Sequence, residues 1–486
     1  MKKIVIITVI SLLACFIQGC DKNFLDRDPL DKLSSNQFWE TEQDFDMALT
    51  AIYGNLQTPM FSAGTPDWDL ITDNGYGQHN SNGSQAIVRG DIFSSSDGYI
   101  RDVYKNCYAG IARVNIFLSK LANYEGSAID ATAKKIYVGE ASFMRAYYYY
   151  LLYTCYGDVP LVKEPLTLEN QMQPKVPATE VLDFILNEVD EAIANLPNSL
   201  YKDAKGHLVK SSAQALKLRI LLFIAYGQNG NVDLEIIKQA KNVATEIMQA
   251  GYQLSPQFES IFRSTTQEGN PEIIFSVKFL APDNATSMDQ WYGDWLVASP
   301  LKSFYDAFEA NDKRRDQTVF VGQVDFNGNI HKPSNNVPTG YGLKKFLSPD
   351  LIPYGYSTQS EQDWVMFRYA EVLLSFAEAE NELSGPTIAV HDVINSLRLR
   401  SGLGNLSKTL TTDEMRIAIR KERRMELAFE GFRYFDLKRW HIAEEVLNNV
   451  KDGILTYKFE DKFYKWPLPQ TEIDRSQGVL IQNPSY

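Results

Sequence analysis

The stretch TEVLDFILNEVDEAIANLP, residues 179–197, decides the class of fold. Val181, Ile185, Val189, Ala192 and Leu196 recur every three or four residues, an apolar stripe of helical period, and Pro197 stops the pattern. Thr179 stands before the stripe, where a capping hydroxyl is wanted. The next two stretches repeat this logic. Ser211 opens a helix carrying Ala215, Leu218, Leu222 and Ala225 and closing at Gly227, and Ile236, Ala240, Ala244 and Ile247 define another that ends at Gly251. Farther on, Thr411 and Glu414 have the spacing of a capping box for a helix through Glu430. Small side chains on the stripes of consecutive helices of similar length allow close antiparallel packing, which predicts a mainly α chain of tetratricopeptide-like helix pairs.

Outward from these helices, residues 36–57, 97–251 and 364–450 read as a helical scaffold within a single unit spanning 36–486. Two stretches have another character. Residues 58–96 are rich in Gly, Ser, Asn and Asp with scattered aromatics, and residues 252–360 mix short β-like runs, such as Ile273 to Phe279, with Pro, Gly, Asn and aromatic residues. They read as an inserted loop-rich subdomain with minor strands. Excursions this long are seldom simple connectors, and binding residues concentrate on such loops.

The N-terminus sets the compartment. Lys2 and Lys3 precede an apolar run from Ile4 to Ile17, too short to span a bilayer and of signal-peptide form. The run closes on Ile17-Gln18-Gly19-Cys20, so residues 1–19 read as a lipoprotein signal, Cys20 as the acylated first residue and 20–35 as an anchor segment. Leu12-Leu13-Ala14-Cys15 also fits a lipobox with a shorter apolar run, and simple secretion would leave Cys20 a free thiol. Lipid chains at about 0.8 kcal/mol per buried CH₂ would supply the anchoring. Without residues 1–19 the chain holds 46 basic against 61 acidic side chains, or −15, which argues against nucleic acid or an anionic membrane surface as partner. Cys107 and Cys155 fall on a helical hairpin turning near Gly126, offset by about 15 Å along its axis, so no disulfide is expected between them.

Five blocks of sequence carry a family resemblance. They are Cys20 with Asn23-Phe24-Leu25-Asp26; Gly139-Glu140-Ala141 with Arg145-Ala146-Tyr147 and Tyr156-Gly157-Asp158-Val159-Pro160-Leu161; Arg368 to Leu374 with Ala377-Glu378-Ala379; Arg398 to Leu403; and Arg423 to Trp440. Pro467-Leu468-Pro469 and Gln482-Asn483-Pro484 complete the order. In these the chain resembles the SusD/RagB family of surface lipoproteins. The resemblance implies a tetratricopeptide-like scaffold with an inserted loop-rich subdomain. It also implies a cell outer membrane location through acylated Cys20, an oligosaccharide ligand and a partner TonB-dependent (SusC-like) transporter. A peptide-binding, RagB-like role and a surface glycosidase are the alternatives.

Catalytic and metal signals are weak. Glu422, Glu426 and Glu430, at i+4 spacing among Arg423, Arg424 and Arg433, lie on one helix face, whereas glycoside hydrolysis needs two carboxylates across a cleft. They read as scaffold ion pairs, as do Arg368, Glu371 and Glu378. Asp325 to Asn329 starts like a calcium loop, but its twelfth position falls on Asn336, so Asn327-Gly328 reads as a type I′ turn. His79, His207, His331, His391 and His441 have no metal-ligand spacing. No cofactor or metal is expected, and no enzyme activity.

What remains is aromatic. A sugar ring offers an apolar C–H face and a rim of hydroxyls, which flat rings and nearby amides or carboxylates can match. Trp68, Asp73, Asn74, Tyr76 and His79, together with Asp69 and Asn80, supply that mixture in the first excursion. Trp291, Tyr292 and Trp295, beside Asp289, Gln290 and Asp294, supply it in the second, with Tyr354 and Tyr356 in reserve. Tyr147 to Tyr150 cover every face of a helix and read as packing.

Overall fold

The computed structural model describes residues 38–227, 230–321, 339–452 and 454–486. The signal peptide, Cys20 and the anchor segment lie outside the described residues, as do Asn327, Gly328 and His331.

Helices dominate, and their order in space follows their order in the chain. The longer ones are α1 (Glu42–Leu56), α2 (Tyr99–Ala122), α3 (Ala131–Tyr156), α4 (Ala178–Asn195), α5 (Lys210–Ile224), α6 (Leu234–Met248), α7 (Tyr369–Ser384), α8 (Ile388–Arg400), α9 (Thr412–Glu426) and α10 (Arg433–Arg439). From α1 to α7 each lies against the next, and α7 carries both α8 and α9. Such nearest-neighbour stacking is what an array of helix pairs requires. The predicted stripes are the buried faces at Val181, Ile185, Val189 and Ala192 on α4, and at Ala240, Ala244 and Ile247 on α6, where Ile237 is buried in place of the predicted Ile236. Helix α3 is buried along most of its length, Tyr147 to Tyr150 included, because α1, α2, α4 and α5 all contact it. Cys107 and Cys155 are buried and free.

Two helix ends depart from expectation. Thr179 does not cap α4: Pro177 is the N-cap, and the Ala178 N–H donates to Asp158 Oδ1 at 2.9 Å, a tertiary acceptor that no local pattern reveals. The capping box of Thr411 and Glu414 does open α9, but the helix ends at Glu426, so Glu430 lies beyond it. The cause is a set of stronger claims on the backbone there. Lys345 Nζ donates to the carbonyls of Glu426 and Ala428, Arg368 Nη2 to that of Glu426, and the Phe429 N–H to Asp69 Oδ1. Phe429 takes φ of 61° to meet them.

The three glutamates are scaffold all the same. Arg314 binds Glu422 at 2.6 Å and Glu426 at 2.9 Å; Arg368 binds Glu272 at 2.9 Å, Glu426 at 2.6 Å and Glu430 at 2.7 Å. Lys345 pairs with Glu430, and Arg400 with Glu272 and Glu426. Glu378 is likewise held by Arg439 and the Trp440 indole, and Glu371 by Arg219.

The strands are short and form four two-stranded antiparallel ladders: β1 (Gly75–Gly77) with β5 (Ala298–Pro300), β2 (Val159–Pro160) with β3 (Lys175–Val176), β4 (Ile273–Val277) with β8 (Trp364–Arg368), and β6 (Val319–Val321) with β7 (Tyr341–Leu343). β4 and β8 are buried throughout and seat the second excursion on the helices. The β1–β5 ladder joins the two excursions to each other, and it positions the candidate site.

Candidate functional site

In that ladder Tyr76 lies opposite Ser299, and the Gln78 N–H continues the pairing to Val297 O at 2.9 Å. Just before β5 the chain makes one π-helical turn, Gln290–Asp294, a geometry frequent at functional sites. The Trp295 N–H closes the turn on Gln290 O at 2.9 Å. Leu296 then takes φ of 54°, a conformation that strains a leucine by about 1–2 kcal/mol. The kink sinks Leu296 completely into the core and leaves Trp295 38 % exposed.

Trp295 does not stand alone. The ring of Tyr356, 87 % exposed, meets it edge-on with centroids 5.7 Å apart. Gly293 makes this approach feasible, since a Cβ there would lie 2.3 Å from the Tyr354 ring. Tyr354 itself is buried, its hydroxyl donating to Ser348 O at 3.0 Å, and anchors the loop that presents Tyr356. Trp291 is half-buried against the core, and Tyr76 is half-buried with its hydroxyl accepting from Gln85 Nε2 at 2.9 Å.

Four of the other sequence-nominated residues are corrected to structural roles. Trp68 is 3 % exposed and stacks on Trp466 at 5.7 Å with the planes 5° apart. Tyr292 is buried, its hydroxyl donating to Asp67 Oδ1 at 2.9 Å and to Ala63 O at 3.1 Å. Asp73 is buried in ion pairs with Arg424 and Arg433; burial opposes its ionisation, but the two guanidiniums hold its carboxyl down to about 2. Asn74 is fully buried, donating to Asp69 Oδ1 at 2.7 Å and accepting from Arg424 Nε at 2.7 Å. His79 falls in the 3-10 turn Gln78–Gly83; its side chain lies outside the described residues.

Two buried carboxylates that hold the loops together were missed as such. Asp67 accepts from Ser81 Oγ at 2.6 Å, Asn82 Nδ2 at 2.9 Å and the Tyr292 hydroxyl, so one side chain clamps both excursions. Asp289 accepts from the Ser348 N–H at 2.6 Å and Gln362 Nε2 at 3.3 Å, tying the π-turn to the Tyr356 loop. Their sequence signal is faint: an aspartate beside an aromatic in a polar loop looks like a ligand contact.

Burial pushes the Asp67 carboxyl up to about 6, against the pull of its three donors. A carboxyl raised in the folded state contributes stability that is fully present below its unfolded pKa and is lost as pH rises through the folded one. Between about pH 5 and pH 7 the wild type should therefore lose about 1 kcal/mol more than Asp67→Asn does. Urea denaturation of both proteins at the two pH values measures the difference, and equal slopes would refute the assignment.

Among the described residues there is no cluster of metal-ligating side chains and no helix long and apolar enough to cross a membrane. The chain is thus a mainly helical protein that presents exposed rings on clamped loops. Two family profiles match the chain, "SusD family" over residues 271–486 and "Starch-binding associating with outer membrane" over residues 23–222. Together these two SusD-type profiles span most of the chain, which belongs to the SusD family. A SusD-like protein of Formosa agariphila is 25% identical over 524 residues and covers 100% of both chains. A SusD-like protein of Bacteroides fragilis is 26% identical, with a TM-score of 0.78 over 95% of this chain and 100% of that one. Surface glycan-binding protein A of Bacteroides thetaiotaomicron, solved in complex with laminarihexaose, has a TM-score of 0.75 at 21% identity, covering 91% and 99%.

Proposed function

We propose that this chain is a cell-surface lipoprotein, held in the outer membrane by acylated Cys20, that binds an oligosaccharide and delivers it to a partner TonB-dependent transporter. The observation that carries the reading is the Trp295–Tyr356 pair, two exposed rings held by a strained turn and a buried tyrosine. Exposed apolar rings without a covering element suit the C–H face of a sugar. The laminarihexaose complex of a structural neighbour favours a glycan over a peptide. Trp291 and Tyr76 extend the surface, and His79 is kept as a candidate contact. Binding is favoured over hydrolysis because Glu426 and Glu430 are paired with arginine and lysine: burial opposes their ionisation, but these charges hold both carboxyls below the usual carboxylate range. Tethering beside the transporter raises the local ligand concentration, so weak affinity suffices.

The test is a calorimetric screen of the mature chain against neutral oligosaccharides, laminarihexaose included, with peptides as a second arm. Saturable binding of an oligosaccharide without turnover is expected, and deletion of the gene should reduce uptake of that glycan while hydrolysis in extracts is unchanged. Binding of peptides alone, or turnover of any glycan, overturns the reading.

A further inference from the structure

A separate cavity of about 540 Å³ lies where the C-terminal end of α3 meets α10 and the last residues of the chain. It shares no lining residue with the Trp295–Tyr356 pair, and its volume falls within the roughly 300–1,000 Å³ usual for small-molecule sites. Tyr153, Phe223 and Tyr464 supply ring walls, and Lys438, His441 and Lys465 supply nitrogen.

The two lysines are unusual. Lys438 Nζ donates to Thr154 O at 2.8 Å and Lys465 Nζ to Tyr153 O at 3.1 Å, so the ammoniums converge on adjacent carbonyls at the end of a helix with no basic residue in its own last turn. Capping of that kind is favourable, yet it uses one of three N–H bonds on each. Among the described residues no carboxylate lies within ion-pair distance of either ammonium. Lys438 is 3 % exposed. Burial pushes it down to about 7 and Lys465 down to about 8, and Asp158 acts on Lys465 only from a distance. Arg439 in the same wall is already saturated by Glu378 and Asp436. Buried lysines are ordinarily paired; here two lysine nitrogens line a cavity with no carboxylate within ion-pair distance among the described residues.

We propose that this cavity is a second ligand site, taking the acid group of an acidic sugar between Lys438 and Lys465. Asp158 and Asp461 also line it, which restricts the ligand to a single acid group at the lysine end. The inference is independent of the Trp295–Tyr356 reading.

The test titrates the mature chain calorimetrically with glucuronate, glucose and inorganic sulfate. Glucuronate is expected to bind and glucose not to, with affinity at least tenfold weaker in Lys465→Met and retained in Lys438→Arg. Sulfate binding as well as glucuronate assigns recognition to the oxyanion alone, and glucuronate without sulfate assigns it to the sugar acid; either supports the site. Lys438→Met is checked for folding by circular dichroism, and if it does not fold, Lys465→Met decides. The proposal is overturned if neither anion binds, or if glucuronate binds folded Lys465→Met as tightly as the wild type.

Discussion

Arg368→Met is expected to cost about 3–5 kcal/mol, the usual consequence of removing one partner from a buried ion cluster. That is a large share of the roughly 5–15 kcal/mol that holds a domain folded. Arg368 is 1 % exposed and grips Glu272, Glu426 and Glu430 together, with a further bond to the Glu426 carbonyl. Methionine matches much of the volume but leaves three buried carboxylates short of a charge. Arg314, Arg400 and Lys345 remain, and Lys345 is the weakest of them, since burial pushes its ammonium down to about 8. The cluster also joins the end of α9 to β8 and to the residue before β4, so its loss loosens the seat of the second excursion. Urea denaturation followed by circular dichroism measures the cost. A loss below about 1 kcal/mol, the range of an exposed pair, would falsify the structural reading.

The same cluster shows where sequence patterns stop being informative. Val181, Ile185 and Val189, or Thr411 and Glu414, act over three or four residues, and their stripe and cap are local facts that the folded chain keeps. Glu430 has the same local spacing as Glu426, yet the helix ends between them because Lys345 and Arg368 claim backbone carbonyls there. Those donors lie far off in the chain, and no window of sequence weighs their competition.

The choice among candidate binding residues meets the same limit for the same reason. Composition locates two excursions rich in rings and acids, and the β1–β5 ladder does bring them together. It does not say which ring the chain sinks. Trp68 is covered by Trp466 and Tyr434, and Asp73 is answered by Arg433, 360 residues away. Tyr356, a reserve by sequence, becomes half of the exposed pair because Gly293 and Tyr354 place its loop beside Trp295.

The double substitution Trp295→Ala with Tyr356→Ala should weaken oligosaccharide binding by about 1–3 kcal/mol, if each ring contributes the 0.5–1.5 kcal/mol typical of aromatic pairs. In affinity that is roughly five- to 150-fold. Tyr356→Ala alone should change stability by no more than about 0.5 kcal/mol, because the side chain is mostly in water. Trp68→Ala gives the opposite result: about 3–5 kcal/mol of stability lost to a cavity under the Trp466 stack, with affinity per folded molecule unchanged. The contrast matters because Trp68 also lines a crevice beside Phe432 and Phe435. If ligand were gripped in that crevice, folded Trp68→Ala would lose binding while the double variant kept it. Calorimetry on all three proteins, corrected for the fraction folded, separates the two locations, and only a loss confined to the Trp295 and Tyr356 variants places the sugar on the exposed pair.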